Sequence, residues 1–377
     1  MPELWFKYGI TDVVLNIRYE NLLKHITASS FALLSDDQIK SCLNDVTLTQ
    51  DTMIFALSDT KSAAMVISIL VQLARSRGIP DIRVGVLPRI QPILKSNLAD
   101  KTILTNQIDQ DSFHRKIKHH RQVIFVSQIT YDPLFGYNGT PTILVRNYMH
   151  DHMLEALNAR QDNLPKPGVI GPPLDVVLSS NKDLPAKSIQ IIANSFGIAG
   201  ICYGSIVGSF EEAIRQLNSI AVVNADLTKS VIINASSETG PHSTLLDSLN
   251  SLWNIIHIVR ENGSAVLLSE NSGGLGGRAL EMYVEGRLDV EQSRDNLSEY
   301  IEGLEHLIYI KELSQKYQLG IMSTLPQYYL ETKLGIKTYG GMKNVIEELL
   351  AKHGKNAKIL VVSDPDIMLL RVNPNAL

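Results

Sequence analysis

Ser58, Asp59, Thr60 and Lys61 stand in a row where an apolar run, TMIFAL at 52–57, gives way to a long helical pattern. In an open parallel sheet, ligands sit outside the carboxyl ends of the strands. Backbone N–H groups at a helix start favour an anion there, and Lys61 adds a positive charge. Capping of the helix by Ser58, Asp59 or Thr60 accounts for one member of the cluster; the whole cluster reads as part of a ligand site.

A second candidate is ITYDPLFGYNGTPTILVRNYMHDHMLEAL, residues 129–157, which carries Tyr131, Asp132, Gly136, Asn138, Gly139, Arg146, His150 and His152. His150 and His152 are one residue apart, a spacing that aligns side chains on a strand but not on a helix. The run after Tyr148 has helical character, so one histidine acting with Arg146 is expected ahead of joint metal ligation, against a solvated helix start as the alternative. A glycine run, SENSGGLGGRALEMYVEGR at 269–287, offers close backbone approach and Arg278 to an anion, or forms a tight turn. It matches neither the dinucleotide fingerprint nor the P-loop. The basic run FHRKIKHHRQVIF, with Arg115, Lys116, Lys118 and Arg121, reads as a solvated helix face rather than a nucleic-acid surface, because it lacks interleaved exposed aromatics. No nucleophile elbow, H-E-x-x-H or spaced carboxylate pair is present.

These residues need elements to position them. Runs rich in Val and Ile recur at 52–57, 82–87, 122–128, 188–193, 219–223, 230–234, 264–268 and 358–362, with helical patterns between most of them. Alternation of this kind predicts an α/β fold with largely parallel sheets flanked by helices. The helix after Lys61 places Met65, Ile69, Leu70 and Leu73 on one stripe and has its stop signal at Gly78 and Pro80. Pro and Gly cluster over 131–185, which predicts an irregular loop region that either links domains or carries function. A domain boundary is expected after the strand at 230–234, giving an N-terminal α/β domain at 1–235 and a C-terminal α/β domain at 236–377.

The chain of 377 residues is 44% hydrophobic and 20% charged, enough for a sizeable core and for two domains. A formal charge of −4 gives no global attraction to nucleic acid or an anionic membrane. Cys42 and Cys202 make no metal-binding spacing and no disulfide framework, so both are expected as small core residues in a reducing, cytoplasmic compartment. No signal-peptide pattern opens the sequence, and no apolar run is long enough to span a bilayer.

The order of parts resembles the nickel-pincer lactate racemase family nearly end to end. The resemblance is carried by YGITDVVLNIRYENLL, the Asp59-Thr60-Lys61 segment, GIPDIRVGV, ITYDPLFGYNGTPT, SSETGPHSTLLDSLNSLW, NGSAVLLSENSGGLGG and LGIKTYGGMKNVIEELLAKHGKNAKILVV. It implies a two-domain lactate racemase-like fold with a ligand cleft between the domains. It also implies that Ser58, Asp59, Thr60, Lys61, Gly136, Asn138 and Gly139 face a nucleotide cofactor, and that Lys61, Arg89 and Arg146 hold the substrate carboxylate. Asp132, His150 and Tyr131 would be the catalytic groups, with His150 or His152 as metal ligand.

This sequence departs from the family at its chemistry. Lys61 stands for an arginine and loses the bidentate fork. A catalytic histidine falls on Leu87 or Pro88. The cofactor-anchoring lysine and its neighbouring base are absent from Tyr131–Thr142, and a helical Gln and Lys read as Ser248 and Ser251. The resemblance therefore implies either an isomerase, a racemase or epimerase of a small 2-hydroxy acid with its nickel-pincer nucleotide held non-covalently, or an inactive binder of small anions on the same fold. Neither reading includes a nucleic-acid or membrane partner, and the sequence sets no oligomeric state.

Overall fold

Apolar runs of four to ten residues, with the short polar strands Thr105–Gln107 and Lys337–Thr338 at edges, assemble into two six-stranded sheets. The computed structural model describes residues 3–28, 31–79, 82–237, 240–290 and 299–373. Pro80 and part of SSETGPHS, residues 238–239, lie outside them. The first sheet has the order Gly197–Ser205, Lys187–Asn194, Gln122–Gln128, Thr52–Ala56, Arg83–Val86, Thr105–Gln107, parallel apart from the antiparallel pair formed by its first two strands. The second runs Lys337–Thr338, Gln318–Met322, Val259–Leu268, Thr228–Asn234, Ile359–Ser363, Leu22–Ile26 and is parallel throughout. Helices connect the strands, and this is the expected α/β architecture.

The inner strands are buried on both faces, as parallel strands covered by helices are. Thr52–Ala56 is wholly buried, and Val231, Ile232 and Ile233 are sealed from solvent. The helix Lys61–Ser76 buries Ala63, Ala64, Val66, Ile67, Leu70 and Ala74. Of the expected stripe, Ile69 and Leu70 are buried while Met65 and Leu73 are only partly so, because the helix is covered on more than one side. One core cluster continues from Tyr131, Phe135 and Tyr137 beside the first sheet to Trp253, Leu307 and Val231 around the second, so the two sheets share a dry interface.

Four expectations are corrected. The run 219–223 is not a strand: the helix Ile206–Ala221 continues through Ala221, and Val222–Ala225 forms a short strand instead. There the apolar face Phe210, Ala213, Ile214 and Leu217 at helical spacing outweighs the β-branched run. The region 131–185 is not irregular, for it contains helices Thr140–Tyr148, His150–Asn158 and Pro172–Asn181. Pro141, Pro172 and Pro173 sit in first turns, where proline's missing N–H costs nothing. A division at residue 235 would cut the second sheet, since Thr228–Asn234 is an inner strand of it, and Leu22–Ile26 joins it from far upstream. Finally, Cys202 is buried but Cys42 is exposed on the helix Asp36–Asn44, and both are free thiols.

Candidate functional site between the two sheets

Two strand ends of the first sheet and two of the second bring charged groups into one crevice. Thr52–Ala56 leads to Asp59, and Arg83–Val86 leads to Arg89. From the second sheet, Thr228–Asn234 leads to His242 and Asp247, and Ile359–Ser363 leads to Asp366. Burial raises the pKa of Asp59; its own backbone N–H, Arg89 and His242 pull it down, and Asp247 pushes it up. Asp59 therefore feels charges from both walls. Arg89 Nη1 lies 3.5 Å from Glu302 Oε1, a solvent-exposed ion pair that crosses the mouth.

His242 Nε2 lies 2.6 Å from Asp366 Oδ2, an ion-pair contact not directed as a hydrogen bond. Burial alone would lower the imidazole pKa, but Asp366, then Asp247 and Asp59, outweigh it and raise the value. Ser251 donates its hydroxyl to the other oxygen of Asp366. Thr244 caps the helix Leu245–Trp253 and donates to Asp247 Oδ2 at 2.6 Å. Asp366→Asn is expected to lower the His242 pKa, read from the imidazole resonances in an NMR titration. The raised pKa means that the pairing is fully present below the ordinary imidazole range and is lost as pH rises through the folded value. An unchanged midpoint in the variant would show that Asp366 does not hold the proton.

Of the four residues at 58–61, Asp59 is the one whose electrostatic partners lie on both walls. Ser58 Oγ accepts the Gln128 backbone N–H at 3.0 Å and ties two strand ends together, and Thr60 caps the helix by accepting the Ala63 N–H at 3.2 Å. Both hydroxyl oxygens therefore serve the fold by accepting main-chain N–H groups. Asp59 is half-buried in the crevice, with its main-chain oxygen held by Asn97 Nδ2 at 2.8 Å, and Lys61 is exposed as the first helical residue.

The candidates from 131–152 belong elsewhere. Asp132 accepts the Leu134 and Phe135 N–H groups at 2.8 Å on Oδ1 and Arg146 Nη2 at 2.8 Å on Oδ2. Both oxygens are engaged, so it is not a free base. Arg146 also contacts buried Glu305 and lies 4.8 Å over the Phe135 ring, so it is no substrate clamp. Tyr131 is packed in the core, where burial pushes its phenol far up and its hydroxyl donates to Asn218 Oδ1 at 3.4 Å. His150 and His152 are exposed on one helix turn, with His152 beside Glu155, and they share no ligand position. The glycine run at 273–277 is a tight turn: the Gly274 and Leu275 carbonyls accept the N–H groups of Leu245 and Leu246, closing that helix start.

A nickel-pincer nucleotide does not fit these residues. A Cβ at Gly136 would sit 2.1 Å from Val169 O and one at Gly139 2.8 Å from Phe210 Cδ2, so protein fills the space beside both glycines. Asn138 Oδ1 accepts the Thr142 hydroxyl at 3.2 Å, and Thr142 occupies the anchoring position with an oxygen bonded back to Gly139. No group of three or more His, Cys, Asp or Glu poised for a metal occurs among the described residues. The sequence reading missed His242, Asp247, Glu302 and Asp366. For His242 and Asp366 the available signal was polar character just past strand ends, as in GPHST after Thr228–Asn234 and DPD after Ile359–Ser363.

Two largely parallel sheets flanked by helices, with charged residues of both gathered past their strand ends, define the class: an α/β protein whose candidate site lies at those ends. More narrowly, the chain has the lactate racemase fold. It superposes on the lactate racemase apoprotein from Thermoanaerobacterium thermosaccharolyticum with a TM-score of 0.78 at 11% identity, covering 98% of this chain and 100% of that one. It also matches a structural-genomics crystal structure from Thermotoga maritima with a TM-score of 0.64 at 9% identity, over 90% of this chain and 99% of that one. No protein-family model and no curated protein sequence matches the chain. No described helix is long and apolar enough to cross a membrane.

Proposed function

We propose that the crevice binds a small 2-hydroxy acid without the nickel-pincer nucleotide. The carrying observation is that cations and proton acceptors stand together there. Arg89, with Lys61 opening the helix that follows Asp59, complements a carboxylate, while Asp59 and the His242–Asp366 pair complement a neighbouring hydroxyl. The likeness to a lactate racemase apoprotein supports the substrate class, and the engaged state of Asp132, Tyr131 and Arg146 moves the chemistry to the crevice.

A racemase or epimerase activity is the second reading, favoured by one observation: Asp59 and His242 approach from opposite sheets and both have raised pKa values. Pairs of titratable groups tuned by their surroundings are the usual acid and base of such sites. Calorimetry against single enantiomers of lactate, malate and tartrate tests the binding, and chiral chromatography of the same mixtures tests turnover. Binding is expected to weaken at least tenfold in Asp59→Asn and in Arg89→Gln. Loss of handedness that vanishes in Asp59→Asn makes the protein an isomerase; binding with unchanged handedness makes it a binder. No binding of any of these acids, or equal binding by both variants, removes the proposal.

A further inference from the structure

We propose a second ligand site at the amino-terminal end of the first sheet, a cavity of about 500 Å³ that takes a small amphipathic anion, an aromatic or alkyl body carrying one carboxylate, sulfonate or phosphate. The site is remote from the crevice along the strands: Met53 and Arg83 stand at the starts of Thr52–Ala56 and Arg83–Val86, whereas Asp59 and Arg89 follow their ends. Its volume lies within the range of small-molecule pockets.

The lining has two chemistries. Met53, Val71 and Ile103 are buried apolar side chains and form a floor. Arg83 and Lys116 bring cationic groups to the wall, with the His120 imidazole beside them; Lys116 and His120 come from the carboxyl end of the helix Gln110–His119 and just beyond it. Neither Arg83 nor Lys116 has a carboxylate within ion-pair distance among the described residues. Arg75, on the same wall, is already held by Asp100 at 2.6 Å.

Like charges gathered in this way repel one another. Burial lowers the His120 pKa first, and Arg83, His119 and Lys116 lower it further, against a hydrogen bond to the Asp51 backbone. An anionic headgroup between Arg83 and Lys116 relieves that repulsion, while an apolar body covers the floor. The binding free energy then comes from charge and apolar burial together, so a purely inorganic anion binds more weakly than an aryl anion.

The probe is 8-anilinonaphthalene-1-sulfonate, titrated by fluorescence against the full chain. Wild type is expected to bind at least tenfold more tightly than the double variant Arg83→Glu with Lys116→Glu. A control double variant, Arg115→Glu with Lys118→Glu, alters exposed positions on the same helix outside the cavity lining and is expected to bind as wild type does. At fixed pH, the His120 Cε1–H resonance of wild type is expected to move on saturation. Equal affinity in the two double variants overturns the proposal. If the first variant fails to fold, a His120 resonance that stays fixed on saturation overturns it by itself.

Discussion

Arg146→Ala is expected to lower stability by about 3–5 kcal/mol, the usual cost of removing one partner from a buried ion pair. The guanidinium touches Asp132 and Glu305 at once, and both carboxylates are shielded from water, the Glu305 side chain completely. Without Arg146 two buried carboxylates lose their shared counter-charge, and Glu305 keeps the Tyr300 hydroxyl, 3.3 Å from its Oε2, beside it. Urea denaturation measures the loss as a lower midpoint at unchanged slope. A variant that removes all three charges, Arg146→Met with Asp132→Asn and Glu305→Gln, is expected to recover part of it, since replacing a whole buried network is far cheaper than breaking it. Wild-type stability in Arg146→Ala with loss of ligand binding would return the guanidinium to a substrate-binding role.

Acid reports on the same network. Burial pushes the Glu305 pKa up, but the charges of Arg146 and His306 outweigh it and the value ends below the ordinary glutamate range. A depressed carboxylate pKa contributes stability that is present above the unfolded value and lost as pH falls through the folded one. Wild type should therefore lose stability on acidification below the ordinary carboxylate range, and Glu305→Gln should lose less over that window.

Gly136→Ala is expected to cost about 2–5 kcal/mol, combining left-handed backbone strain with overpacking. Gly136 has a φ of 83°, and an added methyl would meet Val169 O at 2.1 Å, an atom of backbone that has no rotamer to escape into. Gly274→Ala is the matched control. It has a φ of 93° with open space around it, so strain alone should act, at about 1–2 kcal/mol. Thermal unfolding of both variants without ligand separates the cases. Equal losses would mean that the Gly136 loop yields easily, and would reopen it as a ligand cradle.

Periodicity made the sheets legible. The runs at 52–57, 122–128 and 358–362 became Thr52–Ala56, Gln122–Gln128 and Ile359–Ser363, because a doubly covered strand must be apolar throughout. Leu22–Ile26 escaped notice because it is an edge strand with Lys24 and His25 exposed or half-exposed, and its identity depends on a partner at Ile359–Val362. The site was half legible for the same kind of reason. Asp59 and Arg89 stand beside strand ends that the sequence marks, whereas His242 and Asp366 acquire meaning only when Thr228–Asn234 and Ile359–Ser363 lie side by side. Asp132 and Arg146 misled because a charged pair near a glycine loop looks the same whether it awaits a ligand or holds Glu305.

The pairing of Leu22–Ile26 with Ile359–Ser363 also sets an order of events during synthesis. At about 5–20 residues per second, the partner strand leaves the ribosome some 20–70 s after the first. The first sheet has all its strands once Ser205 is made, and Thr228–Asn234, Val259–Leu268 and Gln318–Met322 follow, but Leu22–Ile26 lacks the one strand it pairs with until Ile359–Ser363 emerges. A nascent chain arrested before residue 359 should thus present Leu22–Ile26 as bait for holdase chaperones, and a circular permutant that begins near residue 355 and carries the early strand next would shorten the interval to about 2–8 s.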